Sequence, residues 1–306
     1  MLNPHVPFFP MEPILHVEAF DDPNYGFQIK WDGVRILAHL KDGKCQLYNR
    51  KKNNRTAQYP EVTLTLANLI SHDIILDGEM IALKDNKPSF SQLIRRDFAV
   101  DTATIRYLSG LIPVTYVIFD ILYKNGRDLT EYPFMQRDEL LKSLILSKDP
   151  IVVTDTILHR GNALFSIAKS AELEGIVAKK LDSPYRVAKK CSDWLKIKHR
   201  RSLTALIGGY IFVGREVRSL FLGVFQDNDF IYVGRAGSGL NHQSALLLFE
   251  RLQEIKISHC PFTNSPKQGK REIVYWVRPS IEVMIEYMDF TDEGFVRHPV
   301  IKQVLF

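Results

Sequence analysis

The sequence predicts an α+β domain followed by a smaller, mostly β-structured domain. Up to about residue 201, short apolar strands with turn residues between them are interspersed with amphipathic helical stretches, which is typical of antiparallel sheets packed with helices. After that point the chain is rich in β-branched, aromatic and glycine residues, and a single helical stretch stands at about 240–254. We therefore place two domains at residues 1–201 and 202–306.

The elements of the first domain follow from local signals. Residues 1–29 are rich in proline and aromatic side chains and are expected to pack as an irregular arm. Asp42-Gly43 between two apolar runs favours a tight turn, so residues 27–48 are expected to form a hairpin. The other predictions are a helix from Pro60 to about Ile70, strands at 74–83, 114–123, 175–180 and 193–198, a short helix that opens at a capping-box sequence (Ser-Phe-Ser-Gln, 89–92), and helices at 134–146 and 161–173.

The second domain is predicted to be a small β-barrel of the OB type. Residues 203–234 have the composition of strands, with turns expected at Gly208-Gly209 and at 227–229. A further strand is expected near 280–290. Several short strands with one helix in about a hundred residues suit such a barrel.

Composition excludes several classes of protein. No apolar run among the 306 residues is long enough to span a membrane, and the proline-interrupted N-terminus does not resemble a secretion signal. Cys45, Cys191 and Cys260 cannot form a complete disulfide framework or a four-cysteine zinc site, which favours a reducing cytoplasm. The net charge of +5 allows a polyanionic partner without requiring one.

The segment from Lys30 to Arg35 (Lys-Trp-Asp-Gly-Val-Arg) gives the sharpest chemical signal. A protonated lysine is a poor nucleophile, but an amine that is partly desolvated near bound cations is able to attack phosphorus. Gly33 would let a nucleotide approach the backbone, and Arg35 offers a planar fork to a phosphate. The ordinary alternative is a hairpin entry with a solvated lysine and a turn-forming Asp-Gly pair.

Two glutamates stand next to buried strands. Glu79 closes an Asp-Gly-Glu triplet after the apolar run 74–76, and Glu174 comes just before an apolar strand that ends in Lys179. Carboxylates from two strand ends are able to share a hard cation such as Mg²⁺, which binds few protein oxygens and keeps waters. Each is also a common edge or turn residue, and the spacing alone does not bring them together.

Strand alternation places Lys196 and Lys198 on one face of the strand at 193–198. Such lysines ordinarily face solvent on a sheet edge. In a cleft they would neutralise a triphosphate instead. Phe119 lies in an apolar run and is by default a core residue, with stacking on a base as the less common alternative.

Taken together and in order, these segments resemble the motifs of the covalent nucleotidyltransferases, the superfamily of DNA ligases, RNA ligases and mRNA capping enzymes. The patterns KxDGxR, DGE, EGxVAK and WLKIK all occur, and the resemblance covers almost the whole chain. It implies that Lys30 attacks the α-phosphate of ATP to give lysyl-AMP and pyrophosphate. AMP would then pass to a DNA 5′-phosphate, from which the 3′-hydroxyl displaces it.

The resemblance also implies roles for other residues. Glu79 would contact the ribose or a metal, Glu174 would bind the metal (Mg²⁺ or Mn²⁺), and Phe119 would stack on the base. Gln28 stands where the family recognises the adenine edge; many relatives look to have glutamate there, and an amide both donates and accepts. Arg35 and Arg50 would contact phosphates or ribose, and Lys196 and Lys198 would hold the α-phosphate and the triphosphate.

The second domain resembles the OB domain of bacterial ligase D, a type that works in non-homologous end joining. The resemblance lies in Gly-Gly-Tyr at 208–210, residues 232–239, Trp-Val-Arg-Pro at 276–279 and Arg-His-Pro at 297–299. Such proteins often carry a polymerase domain and cooperate with Ku. Their sequence continues into a charged stretch that helps orient pyrophosphate. This sequence ends without it, so we expect an excised part of a longer protein, with weakened self-adenylylation as the alternative.

Charge is consistent with a DNA substrate. From Lys179 to Arg201 there are six lysines and three arginines against Asp182 and Asp193, a balance of 9 − 2 = +7. A solvated face is the ordinary explanation. Beside a nucleotide cleft, the same run would track DNA phosphates, and binding would depend strongly on salt.

Three other classes of protein are alternatives to this interpretation. An NAD-dependent ligase is disfavoured because 29 residues before Lys30 leave little room for a nicotinamide-recognition domain, and the cysteines cannot form that family's zinc finger. A capping enzyme or RNA ligase shares the lysine chemistry. A non-catalytic nucleic-acid scaffold is disfavoured because every catalytic side chain is retained. The sequence favours an ATP-dependent DNA ligase for nicked or broken double-stranded DNA.

Overall fold

The computed structural model describes residues 2–305 except 5, 86, 265, 267–271, 289 and 292. The chain divides into two units, Met1–His199 and Arg200–Phe306. Within the described residues, no helix has both the length and the apolar character needed to cross a membrane.

The strands of the first unit carry its site and are numbered in chain order. They are β1 (Glu12–His16), β2 (Asp21–Lys30), β3 (Val34–Lys41), β4 (Lys44–Asn49), β5 (Ile74–Lys84), β6 (Lys87–Pro88), β7 (Val114–Lys124), β8 (Arg127–Asp128), β9 (Ile151–Val153), β10 (Ile157–Arg160), β11 (Gly175–Lys180) and β12 (Lys190–Lys198). The strands predicted from apolar runs are confirmed. So is the hairpin of β3 and β4, whose turn residues Asp42 and Gly43 both have positive φ, as a primed turn requires.

The helices of the first unit are α1 (Pro60–Leu69), α2 (Phe90–Asp97), α3 (Thr102–Leu111), α4 (Phe134–Leu144) and α5 (Gly161–Ser170). Four of them match predicted stretches. The capping box expected at Ser89 does not form, because its hydroxyl lies against the Ser91 hydroxyl instead. Helix α3 was not predicted, although Asp101 caps it by accepting from the Thr104 amide at 2.8 Å.

Two sheets form the first unit. The larger has the order β4-β3-β5-β7-β8, with β6 on β5 and β9 on β7, and the smaller has the order β1-β12-β11-β2-β10. The larger sheet packs one face on a core that includes Ile36, Leu66 and Tyr116, while Leu37 and Ile75 on its other face pack in a cluster with Trp194 of the smaller sheet. The smaller sheet packs on α5 through residues such as Phe27 and Leu164.

The prediction of an irregular arm at residues 1–29 is wrong. β1 pairs in parallel with β12, and β2 pairs antiparallel with β11 and β10. The partners of β2 lie more than a hundred residues further along the chain, so its local sequence, with Pro23 and Gly26, gave little sign of a strand.

The second unit is a six-stranded sheet with one helix. Its elements are β13 (Arg201–Val213), β14 (Glu216–Gln226), β15 (Asp229–Ala236), α6 (His242–Glu254), β16 (Tyr275–Trp276), β17 (Glu282–Tyr287) and β18 (Val300–Leu305), in the order β15-β14-β13-β17-β18 with β16 on β13. The predicted turn at Gly208-Gly209 is wrong, since both lie inside β13. Glycine is needed there because a Cβ would lie 2.4 Å from Phe262 or 2.6 Å from Trp276.

Candidate active site

Register between three strands arranges the site in rows on one face of the smaller sheet. β11 pairs on one side with β2 and on the other with β12, which aligns Gly175 with Lys30 and Lys198. The next row joins Val177 to Gln28 and Lys196. Because aligned residues on neighbouring strands point to the same face, side chains far apart in sequence meet here.

Lys30, Glu174 and Lys198 form one connected group. The Nζ of Lys30 donates to one carboxylate oxygen of Glu174, and Lys198 lies 2.8 Å from the other. Burial alone would raise the pKa of Glu174, but the charge of Lys30 and the hydrogen bonds from both lysines outweigh it and lower the pKa. Glu174 is therefore an anion that holds the nucleophilic candidate in place.

Glu79 reaches the same pocket from the larger sheet. It lines the pocket together with Lys30 and Phe119. Burial raises the pKa of Glu79 to about 7, although the charges of Lys30 and Arg35 oppose the rise and that of Glu174 adds to it. The two glutamates predicted as metal ligands are thus close enough to influence one another. In the described residues, no group of three or more metal-binding side chains forms.

A β-bulge presents Phe119 to the pocket. Asp77 pairs with Asp120 and Gly78 with Ile118, so the register skips Phe119. Bulges re-aim a side chain and free backbone groups from the ladder, and they are common beside active sites. Here the carbonyl of Phe119 accepts from the Nζ of Lys179 at 2.9 Å.

Arg35 is fixed by a closed ring of hydrogen bonds. It donates to both carboxylate oxygens of Asp77 at 2.7 and 2.6 Å and to the Met11 carbonyl at 3.1 Å. Tyr185 closes the ring, donating to Asp77 at 2.6 Å and accepting from the Met11 amide at 3.0 Å. The guanidinium carbon lies 4.8 Å from the ring centre of Phe119.

Lys179 is a pocket residue that the sequence did not single out. Its Nζ lies 4.1 Å from the ring centre of Trp194 and 4.6 Å from those of Phe119 and Phe134. Burial lowers the pKa of Lys179 to about 7 against the opposing pull of nearby aspartates. Its place at the end of the EGxVAK segment was the available signal.

Gln28 connects the pocket to α4. Its Nε2 lies 2.9 Å from the Thr156 hydroxyl, which lies 2.8 Å from Asp138. Asp138 in turn pairs with Lys142 at 2.7 Å. Gln28 is 2% exposed, so its bonding is set by these neighbours rather than by solvent.

Two tryptophans leave donors in the pocket wall. Trp31 and Trp194 both line the pocket, and the Nε1 of each is buried without a hydrogen-bond partner among the described residues. Buried donors are rarely left unsatisfied in folded proteins.

The remaining predicted residues lie around this group. Lys196 is half-buried in the same row as Gln28, with Val177 between them, and burial, with the charges of Lys198 and Lys30, lowers its pKa. Arg50 is exposed and pairs at 2.7 Å with Glu12, next to the pocket-lining Pro13. Gly33 has a packing role, since a Cβ would lie 2.2 Å from the Met80 carbonyl oxygen.

Comparison with known proteins identifies the family. A family model described as the ATP dependent DNA ligase domain matches residues 12–198, and one described as the ATP dependent DNA ligase C terminal region matches 213–304. The chain therefore belongs to the ATP-dependent DNA ligases. The predicted resemblance is confirmed.

Individual relatives agree with this assignment. The chain is 30% identical over 279 residues to the multifunctional non-homologous end joining DNA repair protein LigD of Mycobacterium tuberculosis, covering 89% of this chain and 35% of that protein. It is 34% identical over 195 residues to the SPbeta prophage-derived DNA ligase-like protein LigB of Bacillus subtilis, covering 63% of this chain and 68% of that protein. It thus spans about a third of the length of the LigD relative.

A solved structure shows the same fold. Mycobacterial DNA ligase D complexed with ATP and MES is similar with a TM-score of 0.58 and 27% identity, covering 97% of this chain and 95% of that one. The predicted α+β nucleotidyltransferase domain followed by an OB-like domain is confirmed by this likeness and by the match to the C-terminal region.

Proposed function

We propose that this chain seals 3′-hydroxyl and 5′-phosphate ends in double-stranded DNA through an AMP adduct on Lys30. The observation that carries the proposal is that Lys30 lines one pocket with Glu79 and Phe119 and is paired with Glu174, which also binds Lys198. A nucleophile, carboxylates, a cation and an aromatic side chain converge there from five segments of the chain. No single segment contains the site.

In the proposed reaction the Nζ of Lys30, after losing a proton, attacks the α-phosphorus of ATP. A P–N bond forms, the bond between the α- and β-phosphates breaks, and pyrophosphate leaves. An oxygen of the DNA 5′-phosphate then takes AMP from Lys30. Finally the 3′-hydroxyl attacks that phosphate, the strand is joined and AMP leaves. Glu174 orients the amine, and Lys196 and Lys198 offset phosphate charge.

The base and ribose are proposed to lie between Phe119 and the Gln28 row, with Arg35 and Arg50 contributing contacts to ribose or phosphates. Glu79 and Glu174 fit a divalent cation. Glu79 is a partly buried carboxylate without a cation partner at its own oxygens among the described residues, and a cation would favour its charged form. When bound, Mg²⁺ or Mn²⁺ would supply charge neutralisation at the phosphates.

The cellular setting is proposed from the relatives. The LigD relative is named for non-homologous end joining and DNA repair, so we propose that role here, in the bacterial cytoplasm. Cooperation with Ku and with a polymerase domain belongs to the same proposal.

The test is covalent labelling. The protein is incubated with α-labelled ATP and Mg²⁺ or Mn²⁺ and run on a denaturing gel. We expect a labelled band in the wild type and in Lys44→Ala, an exposed lysine of the same unit, and no band in Lys30→Ala. Chasing the adduct with nicked DNA should transfer the label to DNA. Equal labelling of Lys30→Ala would refute the assignment.

A further inference from the structure

We propose that Thr156 and Asp138 are positioning residues that hold the Gln28 amide with its oxygen towards the pocket and so set a preference for adenine over guanine. This inference rests on the proposed use of the pocket for a nucleotide. It adds two residues that do not touch the nucleotide themselves.

The direction of the hydrogen bonds follows from Asp138. This side chain is buried and pairs with Lys142 at 2.7 Å, so it is a carboxylate with acceptors only. The Thr156 hydroxyl lies 2.8 Å from it and must donate its single hydrogen there. The hydroxyl then has only lone pairs to offer to any other neighbour.

That other neighbour is Gln28. Because the Thr156 oxygen accepts, the amide group facing it at 2.9 Å must be the NH₂ and not the carbonyl. The amide oxygen Oε1 is therefore the atom of the amide group that does not face Thr156, and the Gln28 side chain lines the pocket. Among the described residues, nothing donates a hydrogen bond to this oxygen.

The rows of the sheet place a base near this oxygen. The α-phosphate must reach Lys30, in the row shared with Lys198, so the rest of the nucleotide extends over the neighbouring rows. Those rows contain Gln28 and then Lys179 with Trp194, and Phe119 forms an aromatic wall beside them. Flat aromatic groups and few polar ones suit a purine better than a triphosphate.

The Oε1 atom of Gln28 would distinguish adenine from guanine. At carbon 6, adenine carries an amine that donates and guanine a carbonyl that accepts. An Oε1 atom that faces the pocket accepts a hydrogen bond from the adenine amine and repels the guanine carbonyl. A glutamate at position 28 would present an acceptor oxygen on either side of its carboxylate group and would need no orienting partner. A glutamine needs one, because a flipped amide would favour guanine.

The experiment measures the dissociation constants of ATP and GTP by titration calorimetry on the full chain. Thr156→Val keeps the shape but removes the hydroxyl, and we expect it to reduce the ratio of ATP to GTP affinity by about tenfold, the effect of one hydrogen bond. Thr156→Ser keeps the hydroxyl and should keep the ratio. Thr156→Ala provides a second variant without the hydroxyl should valine disturb folding.

A rescue experiment distinguishes loss of the Gln28 amide orientation from a general structural effect of the Thr156 substitution. In the double variant Gln28→Glu with Thr156→Val, we expect the preference for ATP to return, because a carboxylate has no wrong orientation. An unchanged ratio in both hydroxyl-free variants, a double variant that stays unselective, or a wild type that binds both nucleotides equally overturns the proposal. Absence of a labelled band in the wild-type protein would instead refute the proposed function, since the ratio of nucleotide affinities does not depend on the labelling chemistry.

Discussion

At the scale of single residues, Lys179 is a cation that burial strongly perturbs. The residue is 1% exposed, and its amine is surrounded by three aromatic rings. The cost of burying the charge exceeds the attraction of the aromatic faces and of Asp120, so its pKa falls from 10.5 to about 7. Protonation of this one amine is therefore coupled to folding.

We expect Lys179→Met to change how stability depends on pH. Below about pH 7 the lysine is protonated in both states, but between about 7 and 10.5 only the unfolded chain holds the proton. Stability of the wild type should therefore rise with pH across that window, by an amount on the order of 3–5 kcal/mol, and the methionine variant should lack this rise. Urea unfolding from pH 7 to 10 measures it.

The control for this experiment is Lys148→Met, an exposed lysine of the same unit, whose curve should run parallel to that of the wild type. If Lys179→Met also runs parallel to the wild type, burial does not perturb the amine.

At the scale of elements, the accuracy of sequence-based prediction depended on where hydrogen-bond partners lie. The hairpin at Asp42-Gly43 and helix α1 at Pro60 have their signals and partners close together in sequence, and both were predicted. β2 was missed because its ladder partners lie far along the chain. Helix α3 was missed because much of its apolar surface, including Tyr107 and Leu111, is exposed and so lacks a clear amphipathic pattern.

The same reasoning applies to the site. The motifs and their order in the sequence predicted Lys30, Glu79 and Glu174 as site residues, since each stands next to a recognisable strand. The contact between Gln28 and Thr156 joins residues 128 positions apart, and no local pattern predicts it. The bulge that presents Phe119 depends equally on pairing with β5, which the sequence alone does not specify.

An element-scale prediction concerns Gly175, the first residue of β11. Its φ is +147°, and an added Cβ would lie 2.0 Å from the Ile197 carbonyl oxygen. We expect Gly175→Ala to cost about 2–4 kcal/mol of unfolding free energy, because backbone strain and a clash with backbone add together. Since Glu174 precedes it, labelling of Lys30 should fall too.

Gly43→Ala is the matched comparison. Gly43 also has a positive φ, of +73°, but no atom lies within 4 Å of its added Cβ. The cost there should be about 1 kcal/mol, from conformation alone. Urea unfolding of both variants decides the matter, and equal costs would contradict the role assigned to the clash.

At the scale of the whole molecule, the chain combines a modest net charge with one strongly basic segment. Within 179–201, several cations are already engaged: Lys198 with Glu174, Arg186 with Asp193, and Lys179 in the pocket. Lys189 and Lys190 are exposed, and no ion pair involves them in the described part of the chain. These two are the cations most available to a polyanion.

We expect affinity for nicked DNA to fall steeply with salt and the Lys189→Gln, Lys190→Gln double variant to reduce the slope. Each lost phosphate contact lowers the slope of log affinity against log salt by about 0.9, so a decrease of about 1–2 is expected. The control removes two other exposed lysines of the same unit, Lys44→Gln with Lys148→Gln. Binding measured by anisotropy at several salt concentrations tests this, and equal slopes for the two double variants would argue against the basic segment.

The shared bond of Glu174 to two lysines has a consequence for timing. In the proposed reaction, one carboxylate restrains both the amine of Lys30 and the cation of Lys198, so a phosphate bound at Lys198 would weaken the restraint on Lys30. In this proposal, binding of the phosphate and release of the Lys30 amine would be the same event, so no separate trigger would be needed.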